Sequence, residues 1–340
     1  MKIGEFDTDK KVLVIAEIGN NHEGDFNVAC EMIEAAASAG ADAVKFQTIV
    51  PNRLVCKKDT NRVEQLSRFA FSQDQFRELH DLAKHLSVIF LSTPFDLEVV
   101  DWLDSLVPAY KIASGDNDFW PLLDKVARTG KPILLSLGLG KIKEFNEIRE
   151  FLDSKWTSNN LLNPGLGFLH CVVSYPTPDD QAFLANISQI NCKDVTPGYS
   201  DHTLGIKAAE LAVANGARII EKHFTLDKNL SDFRDHQLSA EPHQMKLLVQ
   251  KIRKAEEMLG IGESFLQDCE KSNEYAVRRS IATVRNMERG DIVSKEDLCW
   301  LRPRNGFRPG EEGLVVGQIL VKAIEEGEIF TPNHFGSENS

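Results

Sequence analysis

Short runs of apolar and β-branched residues recur at fairly regular intervals along the first 225 residues of the chain. Runs of this length and composition are typical of buried β-strands. The predicted strands are Val12–Gly19, Ala43–Ile49, Val88–Phe95, Tyr110–Gly115, Pro132–Gly138, Gly167–Tyr175, Thr196–His202 and Arg218–Thr225.

Amphipathic helical patterns lie between most of these runs. Ser72 is a good N-cap for one helix, and Gly40 and Gly260 stand where two others end. The clearest predicted helices are Asn27–Ala39, Gln73–His85, Ile206–Ala214 and Pro242–Leu259. Eight strand–helix units in about 260 residues predict a (β/α)8 TIM barrel. A doubly wound open sheet is the main alternative and usually has fewer strands.

In a barrel of this kind, polar residues at the carboxyl ends of the strands converge on one pocket. Strand alternation places Lys45 with Gln47, and Glu221 with His223, on one face, whereas Lys222 falls on the opposite face. The polar residues at the predicted strand ends are Glu17, Lys45, Gln47, Ser92, Thr93, Lys111, Ser114, Ser136, Ser174, Tyr175, Ser200, Asp201, His202, Glu221 and His223.

Two pairs of these residues carry most of the chemical information. Lys45 and Lys111 stand in otherwise apolar runs, where a lysine is costly unless it is paired. They indicate either an anion-binding pocket or a salt bridge at the barrel rim. His202 and His223 end neighbouring predicted strands, so they indicate either a divalent-metal site or two buried, hydrogen-bonded histidines.

Composition narrows the class of protein. The chain has 340 residues, 42% of them hydrophobic and 26% charged, and a formal net charge of −12. This negative charge argues against nucleic acid or an anionic membrane as a partner. The polar start is no signal peptide, and no apolar run is long enough to span a membrane. Six scattered cysteines without a CxxC pair indicate reduced thiols, so a cytoplasmic protein is expected.

The last part of the chain has a different composition, rich in Gly, Pro and charge. We expect the barrel to occupy residues 1–262, a linker 263–278 and a small second domain 279–340. That domain contains a predicted strand at Ser280–Val284, a turn at Glu288–Gly290 and a short helix at Lys295–Asp297. Three arginines of its central loop are either solvated or face an acidic or amide-bearing ligand, and they are Arg302, Arg304 and Arg308.

Several segments, in order, closely resemble the N-acetylneuraminate (sialic acid) synthase family over nearly the whole chain. They are AEIGNNHEGD, DAVKFQT, STPFD, YKIASGD, YPTP, GYSDHTLG and EKHFTLD. RRSI, ERGDIVSKEDL and LRPRNG resemble the family's small antifreeze-like (SAF) domain. The resemblance implies condensation of phosphoenolpyruvate with an N-acetylated amino sugar, such as N-acetylmannosamine, to give a nine-carbon α-keto acid and phosphate.

The same resemblance implies roles for particular residues. His202 and His223 would bind a divalent metal, Mn²⁺ in the first place and Mg²⁺ or Co²⁺ as alternatives. Glu17, Glu221, Lys45 and Lys111 would be catalytic. The SAF domain of one subunit would cover the barrel of the other, which implies a domain-swapped homodimer. The implied substrate-binding residues are Gln47, Thr93, Ser114, Ser136, Tyr175, Ser200, Asp201, Asp235 and Arg302.

One departure from the family bears on the acceptor sugar. Val173 stands where N-acetylneuraminate synthases carry an asparagine, two residues before the YP motif. A less hydroxylated, 6-deoxy diacetamido sugar would tolerate this valine better, so a legionaminic- or pseudaminic-acid-type synthase is an alternative. A metal-dependent pyruvate aldolase and a non-catalytic glycan-binding protein are two further alternatives.

Overall fold

The computed structural model describes residues 1–190, 194–260 and 266–336, and the chain divides into two compact units, Met1–Gly260 and Ile261–Ser340. Eight parallel strands form a nearly closed barrel in the first unit, which confirms the predicted fold class. The barrel strands are β1 (Leu13–Gly19), β2 (Ala43–Thr48), β3 (Ile89–Pro94), β4 (Tyr110–Ile112), β5 (Ile133–Ser136), β6 (Leu166–Cys171), β7 (Thr196–Asp201) and β8 (Ile219–His223).

Barrel strands that are adjacent in the sequence pair in parallel, except β3 and β4, and β8 pairs with β1. The hydrogen-bonded order begins at β3, runs through β1 and β8, and ends at β4. These two end strands also pack against each other. All eight carboxyl ends therefore point to the same end of the barrel.

The barrel interior changes from apolar to polar along its axis. Ile3, from a short hairpin formed by Lys2–Ile3 and Phe6–Asp7, packs beneath the strands with Ile15, Leu91 and other inward apolar side chains. Two residues further along, the inward positions become polar. Because side chains alternate with a period of two, both sets face inward. The polar set is Glu17, Lys45, Thr93, Lys111, Ser136, Cys171, Ser200 and Glu221.

Helices cover the outside of the barrel and form the larger apolar core with the outward faces of the strands. The predicted helix after Ser72 is present, and Ser72 and Gln75 form a capping box at its start. The helices of this unit are α1 (Phe26–Ser38), α2 (Pro51–Leu54), α3 (Thr60–Phe69), α4 (Gln73–His85), α5 (Leu97–Leu103), α6 (Trp120–Ala127), α7 (Ile142–Ser158), α8 (Asn186–Ile190), α9 (Lys207–Ala214), α10 (Arg234–Leu238) and α11 (Pro242–Leu259).

The second unit is small and built mainly from short elements. An α-helix, α12 (Lys271–Val277), lies within the segment predicted as a linker, and β9 (Ser280–Thr283) pairs antiparallel with β10 (Leu298–Leu301). A short 3-10 helix occupies Lys295–Asp297, where a helix was predicted. The core of this unit consists of Ile281, Met287, Val293, Leu298, Val315, Leu320, Ile324 and Phe330.

Some predictions fall on residues outside the described ranges. They include Cys192, the predicted barrel end at 261–262, the start of the linker at 263–265 and the last four residues. The described cysteines are all free, as expected. Within residues 1–190, 194–260 and 266–336, no helix is both long and apolar enough to cross a bilayer.

Candidate active site

A cavity of about 480 Å³ lies at the carboxyl ends of the barrel strands. It is lined by the inward polar residues of the strands and by residues of the loops that follow them. A larger cavity of about 820 Å³ is lined by residues at the starts of β6 and β7, at the opposite end of the barrel. Because catalytic groups of such barrels stand at the carboxyl ends, the smaller cavity is the candidate active site.

Two lysines and two glutamates form a buried charge cluster at the bottom of this cavity. Lys45 Nζ lies 2.8 Å from Glu17 Oε2 and 3.7 Å from Glu221 Oε2. Lys111 Nζ lies 3.7 Å from Glu221 Oε1, and Ser200 Oγ donates to that same oxygen at 3.0 Å. Glu221 therefore bridges both lysines, whereas Glu17 pairs with Lys45 alone.

This difference separates the proton affinities of the two carboxyl groups. Burial raises the pKa of Glu17, and the nearby Glu221 charge raises it further against the opposing effect of Lys45. Burial acts in the same direction on Glu221, but Lys111 and Lys45 together lower the pKa of Glu221 to about 2. Glu221 is thus a fixed carboxylate, and Glu17 is the carboxyl group able to take up or release a proton.

Hydroxyl groups surround the lysine ammonium groups on the side of β3 to β5. Lys45 Nζ donates to Thr93 Oγ1 at 3.1 Å, and Lys111 Nζ donates to Ser136 Oγ at 2.7 Å. Ser114 Oγ accepts a hydrogen bond from the backbone N–H of Gly138 at 3.1 Å. Ammonium and hydroxyl donors at this density suit an anion with several oxygens, such as a phosphate.

The loop after β5 is held closely against this group of donors. Asn117 Nδ2 donates to the backbone oxygens of Ser136 and Gly138, at 3.3 and 2.9 Å. A Cβ on Gly138 would lie 2.6 Å from both Ser114 Oγ and Val173 Cγ2. Glycine is therefore required at this position for the loop to approach so closely.

His202 and His223 lie side by side at the ends of β7 and β8, with ring centroids 5.4 Å apart. Nδ1 of His202 is 2.8 Å from the Val172 carbonyl oxygen, and donation to that oxygen leaves Nε2 free to act as a ligand. Nδ1 of His223 is buried without a hydrogen-bond partner among the described residues. Burial lowers the pKa of His223, which favours the neutral, metal-binding imidazole.

These features fit a divalent cation held by two imidazoles. Across the described ranges, no group of three or more His, Cys, Asp and Glu side chains is arranged to hold a metal ion. The protein ligands would therefore be His202 and His223, with the remaining coordination positions open to water and substrate oxygens. An open coordination shell is typical of catalytic metal sites rather than structural ones.

The mouth of the cavity combines aromatic, charged and amide groups. The Tyr175 ring lies 4.3 Å from the His202 ring, and the Arg234 guanidinium lies 4.5 Å from the Tyr175 ring centroid. Arg234 Nε is 3.2 Å from Asp235 Oδ1. On the β2 side, Gln47 Nε2 donates to Glu17 Oε1 at 3.0 Å. Such groups can bind the hydroxyl and amide substituents of a sugar.

Most of the predicted site residues come together in this one cavity. Asp201 does not line it, because its carboxylate faces the helix layer and pairs with Lys222 at 3.0 Å. Arg302 belongs to the second unit, where it is exposed. The predicted residues that line the cavity are Glu17, Lys45, Gln47, Thr93, Lys111, Ser114, Ser136, Tyr175, Ser200, His202, Glu221, His223 and Asp235.

Sequence reasoning did not single out several further residues of the cavity, and these include Asn20, Asp116, Cys171 and Arg234. Cys171 Sγ lies 3.7 Å from His202 Nδ1, and Asn20 Nδ2 donates to Gln47 Oε1 at 2.9 Å. Asp116 has a buried carboxylate oxygen with no hydrogen-bond partner among the described residues. Burial, together with Asp118, raises the pKa of Asp116 to about 6. The inward position of Cys171 follows from alternation along β6, but the environment of Asp116 depends on a loop.

Several known proteins are similar to this chain over nearly its whole length. A protein from Legionella pneumophila named N,N'-diacetyllegionaminic acid synthase is 39% identical over 337 residues, covering 94% of both chains. A protein of the same name from Campylobacter jejuni is 36% identical over 335 residues, covering 94% of this chain and 99% of its own.

A solved structure of N-acetylneuraminic acid synthetase from Leptospira borgpetersenii, in complex with citrate, is also similar. It has a TM-score of 0.74 and 33% sequence identity, and the match covers 80% of this chain and 94% of that one. Residues 278–336 match the SAF domain, and residues 32–264 match the NeuB family. Because that match spans more than half of the chain and the relatives align over nearly all of it, this protein belongs to the NeuB family.

Proposed function

We propose that the barrel cavity condenses phosphoenolpyruvate with an open-chain N-acylated amino sugar, forming a nine-carbon α-keto acid and inorganic phosphate. The observation that carries the proposal is the position of the Lys45–Lys111 cluster beside the His202–His223 pair. An anion site next to a cation site suits a reaction between an enol phosphate and an aldehyde. The names of the relatives support the same class of product.

Lys45 and Lys111 would bind the anionic groups of phosphoenolpyruvate. Their ammonium groups are now balanced by Glu17 and Glu221, so the incoming phosphate and carboxylate would compete with these carboxylates. Ser136 and Thr93 already accept hydrogen bonds from the two lysines and would donate to the same anion. Together they would fix the enol carbon C3 toward the histidine pair.

The reaction forms a bond between C3 of phosphoenolpyruvate and the aldehyde carbon, and the aldehyde oxygen becomes a hydroxyl. Water then adds to C2, and one of its protons balances the proton taken up by the former aldehyde oxygen. The C2–O bond to the phosphate then breaks, the second proton leaves with the phosphate, and C2 becomes a ketone. Glu17, the carboxyl group with the raised pKa, is suited to exchange these protons. Glu221 remains ionised and stabilises positive charge that develops at C2.

A divalent cation held by His202 and His223, Mn²⁺ in the first place, would polarise the sugar aldehyde as a Lewis acid. The protein side chains would orient the rest of the sugar. Tyr175 and the adjacent Arg234–Asp235 pair form one side of the mouth and would contact hydroxyl or amide groups. Gln47 would contact the sugar from the β2 side.

The apolar part of the cavity favours a 6-deoxy diacetamido hexose over N-acetylmannosamine as the acceptor. Val173 lines the cavity with 36% of its surface exposed, and Leu139 beside it is 77% exposed. A methyl group on the sugar would bury apolar surface here, whereas a hydroxyl group would lose hydrogen bonds to water. The Legionella and Campylobacter relatives are named for legionaminic acid, and they support this choice.

The SAF match supports one further element of the proposal, a domain-swapped homodimer in which Arg302 reaches the N-acyl group in the partner's cavity. Mixing Arg302→Ala with a Lys111→Met variant tests it. Mixed dimers that assemble one intact site should regain part of the activity. Absence of any rescue would refute the swap without touching the chemistry of the barrel.

The reaction itself is tested by phosphate release with Mn²⁺ and a panel of N-acyl hexosamines, with and without a 6-hydroxyl group. We expect release from phosphoenolpyruvate only when an acceptor is present, and no condensation with pyruvate. Lys111→Met should abolish release, whereas the exposed control Lys254→Met should not change it. Condensation with pyruvate would favour an aldolase, and sugar binding without turnover would favour a glycan-binding protein.

A further inference from the structure

We propose that the buried Lys222–Asp201 ion pair, on the outer face of the barrel, positions His202 and His223 to share one divalent cation. The two residues are positioning residues, because neither lines the cavity. The inference rests on the metal centre of the proposed function. It assigns to Lys222 the role of holding the side chains of His202 and His223 in position.

The pairing of β7 with β8 explains why these residues are adjacent. Ser200 lies opposite Glu221, and Lys222 lies opposite Asp201. Side chains alternate between the two faces, so the Ser200–Glu221 pair faces inward and the next pair faces outward. His202 and His223 follow directly and face inward again. The ion pair is therefore one residue away from each histidine.

The ion pair also fixes the backbone on the far side of His202. Lys222 Nζ lies 3.0 Å from Asp201 Oδ2 and donates to the Thr203 carbonyl oxygen at 2.5 Å. Asp201 Oδ1 accepts hydrogen bonds from the Thr203 N–H and Thr203 hydroxyl, both at 2.8 Å. The two residues that flank His202 in the chain, Asp201 and Thr203, therefore both contact Lys222.

β7 ends at Asp201, and His202 lies beyond the paired residues of the strand. The Thr177 N–H donates to the His202 carbonyl oxygen at 2.9 Å, and the ion pair adds a second constraint on this backbone through Thr203. Both side chains of the ion pair are 0% exposed. A buried ion pair adds little stability compared with apolar residues of similar size, so its value here lies in geometry.

The test measures Mn²⁺ binding to the full-length, chelator-treated protein by the loss of the free Mn²⁺ EPR signal. We expect Lys222→Met to weaken binding about tenfold to a hundredfold, the range found when groups that orient metal ligands are removed. The Mn²⁺ concentration for half-maximal activity should rise by the same factor, while the KM for phosphoenolpyruvate stays unchanged.

A double variant separates positioning from stability. Lys222→Met with Asp201→Asn leaves no unpaired buried charge, and the asparagine oxygen still accepts from Thr203. It should recover thermal stability relative to Lys222→Met but not Mn²⁺ affinity. The control Asp42→Asn breaks a different ion pair, with Arg253, and should lower stability while leaving Mn²⁺ affinity unchanged.

The outcomes distinguish this inference from the proposed function. If the wild-type protein binds no Mn²⁺, the proposed metal centre is wrong and this inference falls with it. If the wild type binds Mn²⁺ and both variants bind it equally well, only the positioning role is refuted. Recovery of affinity together with stability in the double variant would also refute it, because the pair would then be purely structural.

Discussion

The substitution Gly138→Ala tests the packing of the cavity directly, because it adds one methyl group where the loop after β5 meets the proposed phosphate site. The added Cβ would lie 2.6 Å from Ser114 Oγ, 2.6 Å from Val173 Cγ2 and 3.0 Å from Ser114 Cβ. The backbone of Gly138 is not in the left-handed region, so steric crowding is the whole effect.

The magnitude follows from these distances. Ordinary van der Waals contact begins near 3.4 Å, so Ser114 or the loop must move by about 0.8 Å. Val173 is partly exposed and can rotate away, but Ser114 is buried and bonded to the Gly138 N–H. Overpacking of this kind costs about 1–3 kcal/mol. Movement of the loop also shifts Ser136, because Asn117 Nδ2 donates to the backbone oxygens of both Ser136 and Gly138.

We expect the free energy of unfolding to fall by about 1–3 kcal/mol and the KM for phosphoenolpyruvate to rise at least about fivefold. Urea denaturation and steady-state phosphate release measure the two quantities. The control is Gly313→Ala, because a Cβ there has no atom within 4 Å. Wild-type stability and KM in Gly138→Ala, or an equal loss in the control, would refute the reasoning.

Three further predictions address protonation, metal and the barrel scaffold. The pKa of Asp116 is raised from 3.8 to about 6, so ionisation of this carboxyl group lowers the stability of the fold as the pH rises between those values. In urea denaturation, Asp116→Asn should therefore be as stable as the wild type at pH 4 and more stable than the wild type at pH 7. Treatment with a chelator should abolish phosphate release, and added Mn²⁺ should restore it in the wild type but not in His223→Asn, which lacks one imidazole. Full activity after chelation would contradict the metal site. Asp42→Asn removes a charge bonded to Val14 N–H and Arg253, and calorimetry should show a loss of about 2 kcal/mol; no loss would mean that water replaces these bonds.

The barrel was predictable because its signal is local and repeated. Each strand is a short apolar run, the helix Gln73–His85 begins after Ser72, and the helix Pro242–Leu259 ends before Gly260, as predicted. The convergence of Lys45, Lys111 and Glu221 also followed from the sequence, since parallel strands bring their carboxyl ends together. The short elements of the second unit gave a weaker signal, and α12 was not predicted.

Asp201 shows where sequence reasoning about the site fails. It lies between Ser200 and His202, in a segment whose neighbours on both sides line the cavity, and it was grouped with them. The alternation that correctly placed Lys222 on the outer face also applies to Asp201. Only the paired strands show that these two residues meet there, 3.0 Å apart and fully buried.

The sequence by itself determined the eight barrel strands, their order and the residues that stand at the strand ends, because hydrophobic periodicity is a property of neighbouring residues. Tertiary structure decided which of the two carboxyl groups has the raised pKa and which has the lowered one. Glu17 and Glu221 are chemically identical, and their pKa values diverge because one contacts a single lysine and the other lies between two. Such differences depend on distances across the barrel, between residues far apart in the chain.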